Sequence, residues 1–144
     1  MLNVSDLLIQ IPGWALFLYL AVAQCPAAIS YRLGIRMGTQ EPPEVVTEVG
    51  AALFWGFAVA DLVFYVPLLG LGLVGHLLGA DWSPLVLGAA LGISVYWPIV
   101  CLATVKAARG AAGWSLPKEA QFWIVLPLIA AWALAAIALL WASL

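Results

Sequence analysis

Charged and reactive side chains are scarce in this chain of 144 residues, which has five basic residues, seven acidic residues and one histidine. Five basic residues cannot form a substantial phosphate-binding surface, so nucleic acid is not expected as a partner. The single histidine, His76, leaves no base beside a nucleophilic side chain and no paired imidazoles for haem in one protomer. The sequence predicts no catalytic residue and no cofactor, and an enzyme is not favoured.

Cysteine is almost as rare as histidine. Cys25 and Cys101 are isolated in apolar stretches, where a lone cysteine is typical of a small hydrophobic packing residue. A reducing compartment would also argue against a disulfide. Neither a metal site nor a redox pair is predicted.

Apolar residues dominate, since 66% of the chain is hydrophobic and 8% is charged. These values lie far outside the usual range of soluble proteins and indicate an integral membrane protein in the lipid bilayer. The apolar runs are continuous over about 20 residues, which predicts spanning helices rather than alternating barrel strands. We predict one transmembrane domain over 1–144, an all-α bundle of two antiparallel hairpins, with helices at about Leu8 to Ile29, Val49 to Leu78, Pro84 to Val105 and Ala120 to Ser143.

The basic residues predict the orientation of these helices. All of them fall in the connections 30–48 and 106–119, namely Arg32, Arg36, Lys106, Arg109 and Lys118. Basic loops stay in the cytoplasm, so a multi-pass protein of the cell membrane with both termini outside is expected. Two groups of aromatic residues agree with the two interfaces, Trp14, Trp82 and Trp141 outside and Tyr31, Trp114 and Trp123 inside.

Small and helix-breaking residues predict the packing. The pairs Gly75 with Gly79 and Gly88 with Gly92 are spaced by four, which favours close approach of the second and third predicted helices. Each predicted helix also contains a proline, and each proline frees a main-chain carbonyl and predicts a kink: Pro26, Pro67, Pro98 and Pro127.

Asp61 is the one formally charged residue near the middle of a predicted helix, within the apolar stretch 57–65. A carboxylate at the bilayer centre costs roughly 2.5 to 3.5 kcal/mol on insertion scales, so such residues are satisfied by neighbours or used. A rise of 1.5 Å per residue puts Asp61 roughly 18 Å from the start of its helix, near the midplane. Asp61 is the principal candidate for an ion or ligand site.

The neighbours of Asp61 are predicted from matching depth, and no lysine or arginine is among them. Without a counter-charge, a dry Asp61 would remain protonated and act as a strut, hydrogen-bonded to Tyr65 one turn along the same helix face or to Ser94 or Gln24 across an interface. A wet site would instead let Asp61 ionise and carry protons or cations. Trp97 and Trp132 also lie near mid-depth, where each indole needs a partner or a pocket. The candidate site residues beside Asp61 are Tyr19, Gln24, Tyr65, Ser94, Tyr96, Trp97 and Trp132.

The string Asp61-Leu62-Val63-Phe64-Tyr65-Val66-Pro67 resembles the acidic-Leu-Val-Phe-x-x-Pro stretch in the second helix of the four-helix EXPERA family, which includes sterol isomerase relatives. The upstream Gln40-Glu41-Pro42-Pro43 is similar to that family as well. In this chain the distance between the two motifs is longer, and the first helix has no second intramembrane acid. The resemblance implies a lipid or hydrophobic-amine pocket, and no activity is carried over.

Three functions follow from these observations. The first is a proton- or cation-linked transporter or channel protomer centred on Asp61, in a homo-oligomer because four helices alone make a cramped path. The second is an accessory or structural subunit of a larger membrane complex. The third is a protein that binds or modifies a lipid or hydrophobic amine through Asp61.

Overall fold

The computed structural model describes residues 3–142, and within them four helical segments are long and apolar enough to cross a membrane. A single π-helical turn, Asp61–Tyr65, joins the helices Pro43–Ala60 and Val66–Leu77 into one segment. The predicted end of the last helix at Ser143 lies outside the described residues. The helices are α1 Val4–Ile29, α2 Tyr31–Arg36, α3 Pro43–Ala60, α4 Val66–Leu77, α5 Ser83–Ala108 and α6 Glu119–Ala142.

Local side-chain chemistry explains where α1 begins. Asn3 and Asp6 form a reciprocal capping box, in which each side chain accepts a main-chain N–H of the other residue at 2.8 Å. Such a box satisfies two of the amides that a helix start leaves free. The helix therefore begins at Val4, before the predicted Leu8.

The beginning of α3 has two parts. Pro43 opens the first turn, and Thr47 then interrupts the helix with φ 66°, a conformation that a β-branched residue rarely adopts. The Thr47 hydroxyl accepts the N–H of Gly50 at 3.2 Å and so caps the helix that continues from this kink. The predicted start at Val49 is close to this second start, and Pro43 adds a turn before it.

The main apolar core joins α4 to α5, with residues from α1 and α6 on either side. Leu69 and Leu73 of α4 and Leu87 and Leu91 of α5 are completely buried. The close approach depends on Gly72, where a Cβ would lie 2.8 Å from the Cα of Leu87. Leu20 of α1 and Ala133 and Ala136 of α6 complete the same core.

The predicted glycine contacts are only partly right. Gly75 does face the start of α5, because a Cβ there would collide with the Trp82 ring. At Gly79, Gly88 and Gly92 a Cβ would meet nothing within 4 Å, so these glycines do not mediate the contact between α4 and α5. The spacing of four identified small residues but not the helix face that they occupy.

The two basic connections meet at one end of the bundle. Val46 pairs with Trp114 in an isolated bridge, and the N–H of Ser115 donates to the carbonyl of Val45 at 2.8 Å. Arg109 donates through Nε to Glu119 at 2.6 Å, and the same carboxylate accepts the indole N–H of Trp123 at 3.0 Å. We name this end the basic end, and we name the opposite one, where Asp6 approaches His76, the terminal end.

Candidate functional site

A cavity of about 290 Å³ extends from the basic end into the bundle as far as Asp61. We name it the Asp61 cavity. Residues 38–41, Lys118 and Gln121 lie at its mouth, and α1, α3, α5 and α6 supply its walls. A volume of this size suits a small ligand.

Asp61 lies at the inner limit of the Asp61 cavity and is half-buried. Among residues 3–142 its carboxyl group has no hydrogen-bond or ion-pair partner, and the predicted bonds to Tyr65, Ser94 or Gln24 are not formed. A carboxyl group in an apolar bundle that has no protein partner must be satisfied by whatever occupies the cavity.

The π-helical turn sets the orientation of Asp61. The N–H of Val66 donates to the carbonyl of Asp61, an i→i+5 bond that widens the helix by one residue. Pro67 explains the widening, since it has no N–H to donate to Val63 in an ordinary α-helical bond. Such single turns are frequent at functional sites because they redirect side chains.

Aromatic residues form the walls between the mouth and Asp61. Phe54 and Phe57 precede Asp61 on one face of α3, and Phe122 of α6 lines the same space. Val125 and Leu126 add aliphatic surface. The middle of the Asp61 cavity therefore favours an apolar ligand body.

Trp97 also lines the Asp61 cavity. Its indole nitrogen is buried, without a hydrogen-bond partner in the described part of the chain, and almost none of its surface is open to the cavity. Trp97 therefore adds aromatic wall beside Asp61. The Asp61 carboxyl group is the polar group without a protein partner that a ligand in the cavity can reach.

Polar side chains surround the mouth. Gln40 donates to the Gln24 side-chain oxygen at 3.1 Å, and Lys118 lies 3.9 Å from the Glu41 carboxylate. Tyr31 donates its hydroxyl to the main-chain oxygen of Glu41 at 2.8 Å. Burial raises the pKa of Tyr31 to about 12, and the Glu41 charge adds to this, so the hydroxyl stays protonated and holds the mouth in place.

The structure brings together half of the predicted site. Asp61, Tyr19, Gln24 and Trp97 all line the Asp61 cavity. Tyr96 does not, and its side chain is 66% exposed on the outside of α5. The remaining three predicted residues are engaged elsewhere.

Tyr65 and Ser94 form a structural pair away from the Asp61 cavity. Ser94 donates to the Ala90 carbonyl at 3.0 Å, so its single proton is used and Tyr65 donates to Ser94 across 2.5 Å. Both side chains are buried in the main core. Tyr65 and Ser94 thus connect α5 to the π-helical turn and are not available to Asp61.

Trp132 of α6 does not line the Asp61 cavity, and it donates its indole N–H to the main-chain oxygen of Leu8 at 2.9 Å. Pro12 explains why that oxygen is free, because proline has no N–H for the carbonyl four residues before it. Trp132 therefore has the hydrogen-bond partner that its depth requires, but this partner is in α1 and not at Asp61.

Several residues at the site were not among the predicted ones, namely Phe54, Phe57, Phe122, Gln40, Lys118 and Gln121. Phe54 and Phe57 precede Asp61 by seven and four residues, a helical spacing that the sequence shows. The others come from connections and from α6, and no spacing in the sequence links them to Asp61.

Comparisons of the chain with protein-family models, with curated proteins and with solved structures found no match. The resemblance of residues 61–67 to the EXPERA family is therefore a local one, and the functional argument depends on the geometry of the Asp61 cavity.

Proposed function

We propose that this protein binds a small amphipathic molecule, a lipid or a hydrophobic amine, in the Asp61 cavity. One observation carries the proposal: the only carboxyl group in the described chain that lies away from the ends of the spanning segments faces a cavity and has no protein partner. Within this proposal the helices form two antiparallel hairpins in the cell membrane, with the basic end in the cytoplasm and both termini outside. The exclusive position of the basic residues in the two connections supports that orientation.

The chemistry of the Asp61 cavity changes from its mouth to its inner limit, and the ligand should match it. Lys118, Glu41 and the amides of Gln24 and Gln40 suit a polar headgroup at the mouth. The phenylalanine walls suit an apolar body. Asp61 then suits a second polar group at the inner end of the ligand.

Two polar groups at that end would suit Asp61. A protonated amine would donate to the Asp61 carboxylate and gain from the surrounding aromatic faces. A hydroxyl group would donate a weaker hydrogen bond without a charge of its own. The two ligand classes can therefore be separated by how strongly Asp61→Asn weakens each of them.

The experiment measures binding of a lipophilic amine and of the alcohol with the same apolar body to purified protein in detergent. Asp61→Asn should weaken the amine by roughly 10- to 100-fold, because it removes a charge-assisted hydrogen bond. The same variant should weaken the alcohol by only roughly two- to tenfold, because the amide oxygen of asparagine can still accept a hydrogen bond from a hydroxyl group. Asp81→Asn is the matched control, since this acidic residue is exposed outside the cavity. Equal effects of Asp61→Asn and Asp81→Asn on both ligands would refute the proposal.

A second candidate, the proton- or cation-linked transporter protomer, is favoured by the same unpaired Asp61 at the end of a cavity that opens at one side. The fully buried layer of Leu69, Leu73, Leu87 and Leu91 lies toward the terminal end. Transport would require this layer to open or a second protomer to complete the path. Liposome flux that is unchanged by Asp61→Asn would rule this candidate out.

The accessory-subunit interpretation stays a prediction, because no contact of the described chain bears on it. A native mass measurement that shows a stable homo-oligomer without a partner would count against it.

A further inference from the structure

A chain of polar groups connects α1 to α4 at the terminal end, away from the Asp61 cavity. Trp14 donates its indole N–H to the Gln10 side-chain oxygen at 2.9 Å. The Gln10 nitrogen lies 3.1 Å from the Leu73 carbonyl and 3.0 Å from Nδ1 of His76. We name the set Asp6, Gln10, Trp14 and His76 the His76 clasp.

The orientation of the Gln10 amide is fixed by two neighbours, one of which can only donate a hydrogen bond and the other only accept one. The indole N–H of Trp14 can only donate, so it must face the amide oxygen, and the Leu73 carbonyl can only accept, so it must face the amide nitrogen. The nitrogen then donates its second hydrogen to His76. Nδ1 of His76 must therefore be an acceptor, which makes the imidazole neutral with its proton on Nε2.

The other side of the imidazole faces Asp6. Nε2 of His76 lies 3.8 Å from the Asp6 carboxylate, whose other oxygen accepts the N–H of Asn3 in the capping box. A cavity of about 230 Å³ adjoins both side chains and gives the ring room to move. From α6 this cavity is lined by Leu139 and Ala142, which do not titrate, so Asp6 is the titratable group facing His76 in the described chain.

Protonation of His76 would place a hydrogen on Nδ1, directly against the amide hydrogens of Gln10. Gln10 cannot turn to accept this hydrogen, because Trp14 and Leu73 would then face the wrong atoms. Only 4% of Gln10 is exposed, so water cannot replace the lost bond. The imidazolium would at the same time be attracted to the Asp6 carboxylate.

We propose that the His76 clasp is a pH-sensitive device that holds α1 against α4 through two hydrogen bonds of Gln10 when His76 is neutral, and through the bond to the Leu73 carbonyl alone when His76 is protonated. The loosened state binds one proton more than the clasped state, so acid on that side of the membrane favours loosening. The lost bond lies about one turn from a close contact between the two helices, where a Cβ on Gly13 would meet the Leu73 side chain at 2.6 Å. This proposal does not depend on what the Asp61 cavity binds.

The test uses nuclear magnetic resonance of protein labelled with ¹⁵N-histidine and ¹⁵N-tryptophan in detergent micelles. His76 is the single histidine of the chain, so one imidazole signal is expected without ambiguity. Near neutral pH the proton should reside on Nε2, with Nδ1 unprotonated. As acid protonates Nδ1, the protection of the Trp14 indole against hydrogen exchange, taken relative to the intrinsic exchange rate at each pH, should fall by roughly two- to tenfold along the same titration curve.

Two variants separate the clasp from a general effect of acid. Gln10→Leu keeps an apolar volume but removes the amide, and should abolish the preference for the Nε2 proton and the pH dependence of the Trp14 protection. Asp81→Asn changes a nearby exposed acid outside the clasp and should leave both unchanged. A proton on Nδ1 of the wild type near neutral pH, or Trp14 protection that does not follow the His76 titration, would overturn the proposal.

Discussion

Trp132 replaces a main-chain hydrogen bond that a proline removes from another helix. Pro12 leaves the Leu8 carbonyl without its helical donor, and the Trp132 indole supplies one at 2.9 Å. Trp132→Phe keeps the ring but removes the donor, so the carbonyl remains unsatisfied in an apolar environment. We expect a loss of about 1 to 2 kcal/mol in the free energy of unfolding, measured by denaturant titration in mixed micelles.

The control for this prediction is Trp141→Phe in the same helix. Trp141 is 77% exposed and donates no hydrogen bond in the described structure, so its replacement should leave unfolding almost unchanged. Equal effects of the two substitutions would show that the bond to Leu8 contributes nothing.

At the scale of single residues, the sequence showed which side chains require a hydrogen-bond partner, but it did not show which groups supply one. Depth alone showed that Trp97 and Trp132 each required a partner or a pocket, and one lines the Asp61 cavity while the other donates to Leu8. Depth could not distinguish the two outcomes, because they depend on which side of its helix each indole faces. Tyr65 was expected beside Asp61 from α-helical spacing, and the π-helical turn changes that spacing.

The π-helical turn is the element that orients the site, and Pro67 is its physical cause. In Pro67→Ala the new N–H can donate to the Val63 carbonyl, so the turn can close as an ordinary α-helix. Closing the turn removes the extra residue of the π-helical turn, so the helix on one side of it has to rotate by about 100°. Because Gly72 holds α4 tightly against α5, α3 must rotate and turn Asp61 away from the Asp61 cavity.

Two measurements check the Pro67→Ala prediction. Affinity for the lipophilic amine should fall by at least roughly tenfold, while unfolding stability should stay the same or rise by up to about 3 kcal/mol as a helix-breaking residue is removed. Pro127→Ala is the control, since Pro127 lies inside α6 and does not line the Asp61 cavity. Unchanged amine binding in Pro67→Ala would mean that Pro67 does not orient Asp61.

At the scale of helices, composition and continuous apolar runs were sufficient to predict four spanning segments. The kink at Thr47 and the π-helical turn were not predicted, because each depends on a local hydrogen-bond choice rather than on hydrophobicity. The Asp61 cavity depends on the second of these features. Hydrophobic periodicity therefore could not predict the Asp61 cavity, although the sequence did identify Asp61 as a carboxyl group within an apolar helix.

The whole molecule has a strong asymmetry of charge. All basic residues lie at the basic end, either in the two connections or, for Lys106, in the last turn of α5. Contacts such as Val46 with Trp114 hold the two connections together. The terminal end has no lysine or arginine among the described residues. The positive-inside rule turns this asymmetry into the proposed orientation, with the mouth of the Asp61 cavity toward the cytoplasm.

Site-directed thiol labelling tests that orientation directly. In a background of Cys25→Ser and Cys101→Ser, one cysteine is introduced at an exposed position of each end, as Ala112→Cys at the basic end or Asp81→Cys at the other. A membrane-impermeant maleimide should label Asp81→Cys in intact cells and Ala112→Cys only after the membrane is opened, because arginine and lysine retain their connections in the cytoplasm. The opposite pattern would place the mouth of the Asp61 cavity outside, whereas labelling of both in intact cells would mean that the chain inserts in two orientations. In the expected orientation, ligands reach Asp61 from the cytoplasmic side, and the His76 clasp experiences the pH outside the cell.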